Sequence, residues 1–323
     1  MSKHHTLKKV LFTTAAIGTA MHLANQYIMK SANAKNLLQK DSGFFYSFKY
    51  GNIFYKVSGK GSPVLLIHDL DECSSGMEWF YLEHKLSKSH TVYTIDLLGC
   101  GRSQKSKLIY NDFLYVQLIS DFIKDVIKEK TDLIATGKSV APVIMSAKLT
   151  PALIDRIILI NPADLVNLKE TPNTISKIKK ALITCPVLGT FIYHVSHSTD
   201  RIIDRFLDQY YSNPNSDFQE ISEYYYESCH KDRSRSKYLY ASLKGNYLNM
   251  DISHGLKTLD KEILIISGED FYESDFVPED YAKLNKKIEF ISILHTSYLP
   301  QLEAPGKVMD LIHEYWTAEF SSL

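Results

Sequence analysis

Apolar runs too short to be helices recur along this chain, and longer stretches with a helical stripe separate them. Val64-Leu65-Leu66-Ile67 is bounded by Pro63 and His68, and Val92-Tyr93-Thr94-Ile95 ends at Asp96. A strand covered on both faces shows such a run in place of alternating apolar and polar positions. Between Asn111 and Lys128, Leu114, Leu118, Phe122 and Val126 recur at helical spacing with Ile119, Ile123 and Ile127 beside them, which predicts a helix with one broad apolar face. The rhythm continues with a strand over 132–136, a helix over 140–149, a strand over 157–160, and later strands over 263–267 and 288–294. This alternation predicts an α/β fold whose mostly parallel central sheet is flanked by helices. Ahead of it, Phe44 to Tyr50 and Ile53 to Val57, separated by Gly51-Asn52, predict an opening hairpin.

Between Pro162 and Leu259 the strand-helix rhythm lapses in a stretch rich in Lys, Ser and Tyr, which reads as a helical cap inserted into the core. The expected organisation is an N-terminal segment over 1–40, a first part of the core over 41–165, the cap over 166–259 and a second part of the core over 260–323. Tyr224-Tyr225-Tyr226, Tyr238 and Tyr240 either line a pocket for an apolar or sugar-like ligand or pack between cap and core.

The N-terminal segment has a different character. Lys3, Lys8 and Lys9 precede a mostly apolar stretch from Val10 to Ala24, the pattern of a single-pass, membrane-associated anchor. The apolar run is shorter than the roughly 20 residues that cross a bilayer, and His22, Asn25 and Gln26 would be costly within one. Two alternatives stand beside the anchor. Ala32-Asn33-Ala34 fits a signal-peptide cleavage site and a secreted protein, and an amphipathic helix lying on the domain fits a cytoplasmic one.

Composition narrows the partners. With 45% hydrophobic and 23% charged residues, the 323-residue chain has the apolar content for a sizeable core. Lys and Arg total 37, as do Asp and Glu, so no net field favours nucleic acid. Cys73, Cys100, Cys185 and Cys229 are scattered without a CxxC pair, so they read as free thiols, with no metal site and no cofactor expected.

One motif stands where chemistry would be placed. Thr136-Gly137-Lys138-Ser139-Val140-Ala141 lies between an apolar strand and an apolar helix, the context of a GxSxG nucleophile elbow. Small residues two before and two after a serine let strand and helix approach closely, and Gly137 and Ala141 meet that demand around Ser139. A phosphate-binding GxxxxGK[ST] loop is excluded, because its first glycine would fall at Asp132. The bland alternative is a buried structural serine at the start of a helix.

From about Gly51 to the C-terminus the chain resembles the α/β-hydrolase superfamily. Asp96-Leu97-Leu98-Gly99-Cys100-Gly101-Arg102-Ser103 is similar to its DxxGxGxS segment, and Leu299-Pro300-Gln301-Leu302-Glu303-Ala304-Pro305 to the segment after its catalytic histidine. His68-Asp69-Leu70 occupies the place of its His-Gly-x oxyanion loop. The resemblance implies Ser139 as nucleophile and the amides of Leu70 and Val140 as oxyanion donors.

The departures from that pattern fall on the chemistry. The catalytic histidine position holds Tyr298, a phenol that stays protonated at neutral pH and is a poor base. His295, three residues earlier, is the substitute base. Asp270 is the first choice of acid among Glu269, Asp270, Glu273 and Asp275, with Asp164 as the alternative position. Asp69 stands where glycine is expected, with Asp71 nearby, and negative charge beside a developing oxyanion raises its energy. Two functions follow from this set. One is a serine-type hydrolase of an ester or related acyl substrate with weakened machinery; the other is a catalytically impaired homologue that binds a small molecule or partner.

Overall fold

The computed structural model describes residues 2–40, 42–214, 217–271 and 277–317; Glu273 and Asp275 lie outside them. The strands are β1 (Phe44–Phe48), β2 (Gly51–Ser58), β3 (Ser62–Ile67), β4 (His90–Ile95), β5 (Thr131–Thr136), β6 (Ile154–Ile160), β7 (Ile263–Gly268) and β8 (Ile288–Ile293). They form one sheet in the order β1-β2-β4-β3-β5-β6-β7-β8. From β4 through β8 every neighbouring pair is parallel, and β1 and β2 are antiparallel additions at one edge. The expected α/β class and mostly parallel sheet are those observed. Phe48 pairs with Gly51, so Lys49-Tyr50 make the hairpin turn and the expected turn pair Gly51-Asn52 belongs to β2.

The helices are α1 (Ser2–Ala32), α2 (Phe80–Leu86), α3 (Asp112–Phe122), α4 (Val140–Leu149), α5 (Thr174–Thr184), α6 (Leu188–Ser196), α7 (Thr199–Arg205), α8 (Phe218–Ser234), α9 (Lys237–Leu243), α10 (Ser253–Lys257), α11 (Val277–Leu284), α12 (Pro300–Glu303) and α13 (Pro305–Thr317). The apolar strand runs serve two cores. Leu65 and Ile67 of β3 join Leu133, Ile157 and Ile263 under α3 and α4, while Val64 and Leu66 join Ile134, Ile158 and Leu264 under α2 and α13. Strand side chains point alternately to opposite faces, so a strand with helices on both must be apolar throughout. All six residues of β5 are buried for this reason.

Between β6 and β7 the described elements are all helices joined by loops. Their core gathers Tyr193, Phe206, Tyr210, Tyr225 and Cys229 against Cys73, Leu299 and Leu302 of the sheet domain. Tyr225 therefore packs between the layers, one of the two roles expected for the tyrosine cluster.

The second half of α1 is docked onto these helices. Asn25 is 3% exposed; its Nδ2 donates to the Val187 carbonyl at 2.9 Å and its Oδ1 lies 3.0 Å from His194 Nδ1. Leu7, Val10, Leu11 and Phe12 on the first half are exposed. Among the described residues no helix is long and apolar enough to cross a membrane, which corrects the single-pass anchor. Asn25, the polar residue that ends the apolar run, holds the helix to protein.

Candidate functional site

The parallel strands end together, and the loops beyond β3, β5, β6, β7 and β8 converge at that edge. The chain leaves β5 at Thr136 and turns sharply at Gly137, whose φ of +60° lies in the left-handed region. Lys138 and Ser139 then form a tight helical turn leading into α4. A Cβ on Gly137 would lie 2.2 Å from Asp69 Oδ1 and 2.2 Å from the Tyr298 hydroxyl oxygen, so glycine is required for space as well as for backbone angle.

Asp69 fills the centre of the site. Its Oδ1 accepts the Lys138 amide N–H at 2.8 Å, and its Oδ2 accepts the Tyr298 hydroxyl at 2.7 Å. Its own amide donates to Glu78 Oε2 at 3.0 Å, and Glu78 Oε1 accepts the Tyr225 hydroxyl at 2.8 Å. Tyr298 stacks on Tyr210 with ring centroids 5.4 Å apart. Asn161, just beyond β6, donates to the Ser297 and Tyr298 carbonyls at 3.1 and 2.8 Å and accepts the Gly268 amide at 3.1 Å, tying three strand ends together.

The electrostatics follow from burial. Asp69 is pushed up to about 6 by burial and by Asp71, against the pull of Lys138. Burial, then Asp69, pushes Glu78 up to about 8. The Tyr298 phenol is driven well above its ordinary value by burial and by Asp69, so it remains a hydrogen-bond donor. His68 is held down to about 4 by burial; its Nε2 accepts the Leu97 amide at 2.9 Å, which leaves the proton on Nδ1 facing the Asp69 carbonyl at 2.6 Å.

Above this network lies a cavity of about 310 Å³ whose lining includes Lys138, Asn161, Asp164, Asn246, Phe271 and Tyr298. Lys138 points an exposed ammonium stem toward it, while Asp164 Oδ1 is turned to the Val166 amide at 2.9 Å.

No family model matches the chain. Uncharacterized proteins of Mycobacterium bovis and Mycobacterium tuberculosis are 28% identical over 107 residues, 33% of this chain. The chain spans 31% of the length of these curated relatives. A probable hydrolytic enzyme from Pseudomonas aeruginosa superimposes with a TM-score of 0.70 at 14% identity, covering 86% of this chain and 94% of that one. An epoxide hydrolase gives 0.70 at 16% identity, covering 85% and 98%. A membrane phospholipase A described as a bacterial virulence factor gives 0.67 at 16% identity, covering 97% and 98%. The chain has the α/β-hydrolase fold.

Within the α/β-hydrolase fold the nucleophile belongs at the strained corner between strand and helix, and here that corner is Gly137. Ser139 lies two residues further on. Its backbone is ordinary right-handed helix at φ −68°, it is 0% exposed, and its hydroxyl donates to the Thr136 carbonyl at 2.7 Å. The expectation of Ser139 as an exposed nucleophile is corrected: the serine sits in the small-residue slot after the corner. The Val140 amide is corrected with it, because it closes the turn onto the Gly137 carbonyl. The amide after the corner is that of Lys138, and the Asp69 carboxylate occupies it. Leu70 is buried in the core beneath.

His295 and Asp270 come together, but away from Ser139. Both are exposed, and with Glu269 their ligand-type atoms lie within 4.8 Å of one another. Asp270 Oδ2 accepts the Ser212 hydroxyl. A triad of Ser139, His295 and Asp270 is therefore not assembled, since the serine hydroxyl is sealed in main-chain contacts while the other two face solvent. Asn161 was not marked by the sequence; a lone asparagine after a strand carries no signal of the three loops it joins.

Proposed function

We propose that this α/β-hydrolase-fold protein binds a small polar molecule in the cavity above Gly137 and lacks serine-nucleophile chemistry. The observation that carries the reading is the occupation of the corner. Glycine stands at the turn, the Asp69 carboxylate is on the amide that would receive an oxyanion, and a protonated Tyr298 is at the base position, so these three places are filled by groups unsuited to attack, charge stabilisation and proton removal. Lys138 supplies a cation, and Asn246 and Asp164 supply hydrogen-bonding groups at the rim.

The rival reading, an ester or acyl hydrolase acting through Ser139, draws on the enzymes that share the fold. Fluorophosphonate labelling of the whole protein and of Ser139→Ala separates the two. No labelling of either is expected. Labelling of the wild type that disappears in the alanine variant overturns the proposal.

The first half of α1, with Leu7, Val10, Leu11 and Phe12 exposed beside Lys8 and Lys9, supports association with an anionic lipid surface without spanning it.

A further inference from the structure

A second buried cluster lies between the core loop after β3 and the cap helices, with no part in the site above. Glu72 and Cys73 come from the loop, His197 follows α6, and Cys229 lies on α8. All four are sealed, with exposures of 2%, 0%, 0% and 0% in that order. The ligand-type atoms of Glu72, Cys73 and His197 lie within 4.8 Å of one another, and Cys229 neighbours Cys73, its thiol 3.3 Å from the Tyr226 carbonyl and 3.1 Å from His230 Nδ1.

The orientation of His197 is informative. Its Nδ1 is 2.8 Å from the Tyr193 carbonyl, which only accepts, so that nitrogen carries a proton. In the neutral ring the Nε2 lone pair then points at Glu72 Oε1, 2.6 Å away. Two lone pairs at that separation require a proton between them, so without metal the two groups stand as an imidazolium–carboxylate pair, and a metal ion would take the place of that proton as they part. An N–H given to a main-chain carbonyl is how a metal-bound imidazole is usually held.

We propose that Glu72, Cys73, His197 and Cys229 form a structural zinc site that clamps the cap helices to the core. Two sulfurs, one imidazole and one carboxylate are borderline-soft donors that suit zinc over magnesium or calcium. Bond lengths of about 2.3 Å to sulfur and about 2.0 Å to nitrogen and oxygen require ligand separations of roughly 3.3–3.8 Å. Glu72 and His197 would part from their 2.6 Å contact, and the Cys229 thiol would turn from the Tyr226 carbonyl to complete the set. Metal entry forms four coordinate bonds and releases three protons to solvent, one from each thiol and the one shared by His197 Nε2 and Glu72. Three anionic donors around a dication leave one negative charge, and Arg205, whose guanidinium also reaches Asp71 at 3.5 Å, lies close enough to oppose it. The site is invisible to spacing rules because its ligands come from three separate segments.

The test uses the full chain. Elemental analysis after purification and dialysis is expected to find roughly one zinc per chain, and replacement by cobalt(II) to give the intense visible bands and sulfur-to-cobalt charge transfer of a tetrahedral thiolate site. Cys73→Ala and His197→Ala are expected to lose the metal, while Cys185→Ala, outside the cluster, keeps it. Absence of zinc together with only the weak spectrum of aqueous cobalt in the wild type overturns the proposal, and needs no variant that has to fold. Equal metal in Cys73→Ala, His197→Ala and wild type overturns it too, as adventitious binding.

Discussion

The Tyr298 hydroxyl oxygen stands 2.2 Å from the point a Cβ on Gly137 would occupy. The two positions where the fold carries a nucleophile and a base are thus filled by one side chain leaning over an empty corner. The phenol is fixed there by its 2.7 Å bond to Asp69. Each of the three residues accounts for the others: glycine makes room, aspartate accepts, tyrosine donates.

Refilling the corner tests that interdependence. Gly137→Ser alone should destabilise the protein by about 2–4 kcal/mol, from the left-handed backbone and the collision with Asp69 and Tyr298. Combined with Tyr298→His and Asp69→Gly, the same serine should be better tolerated and become reactive toward a fluorophosphonate. Denaturant unfolding and labelling read the two effects.

Tyr298→Phe removes one hydrogen bond to a buried carboxylate and should cost about 1–3 kcal/mol. Pairing it with Asp69→Asn in a double-mutant cycle should show coupling well above zero, as groups sharing one network do. Independent, additive costs would mean that the contact does not form.

Glu78 gives a pH dependence of defined sign. Its carboxyl is raised from 4.5 to about 8 in the folded chain, so the folded state holds a proton that the unfolded chain has released. That contribution is complete below pH 4.5 and is lost as pH rises toward 8. Asp69 has already titrated near 6 and His68 is neutral above 6.5, while His197, raised to about 10, and Asp112, raised well above its ordinary value, add slope of the same sign, so the share of Glu78 from pH 6.5 to 8 is read by difference. That share should be about 1–2 kcal/mol, and Glu78→Gln should make the curve of melting temperature against pH shallower than that of the wild type.

Asp96 and Arg102 hold the loop that follows β4. Asp96 Oδ2 accepts the Arg102 amide at 2.7 Å and its Nε at 2.8 Å, and Oδ1 accepts the Gly76 amide at 2.7 Å. Both charges are buried, at 1% and 6% side-chain exposure. Arg102→Met leaves the carboxylate without its cation and should cost about 3–5 kcal/mol in chemical denaturation.

Deleting residues 2–20 should abolish co-sedimentation with vesicles containing anionic lipid while leaving the melting temperature within about 2 °C, because the docked contacts of Asn25 remain. Unchanged vesicle binding would place any lipid contact elsewhere.

Much of the site was legible as a set of departures. Tyr298 and Asp69 stand out in the sequence because a phenol and a carboxylate replace a base and a glycine, and the structure joins them directly. The position of the corner was not legible. Small residues flank Ser139 at 137 and 141, and equally flank Gly137 at 135 and 139, so the spacing fits both frames. Only the last hydrogen-bonded residue of β5, Thr136, selects the earlier one.

By itself the sequence determined the strands, the helices against them and the parallel sheet, because burial on two faces leaves a local periodic record in each segment. Tertiary structure alone decided which residue turns the corner, that Asp69 meets a tyrosine 229 positions away, and that four scattered side chains of loop and cap share one sealed space. Those outcomes depend on how separate segments pack, and no periodicity within a segment encodes its distance from another.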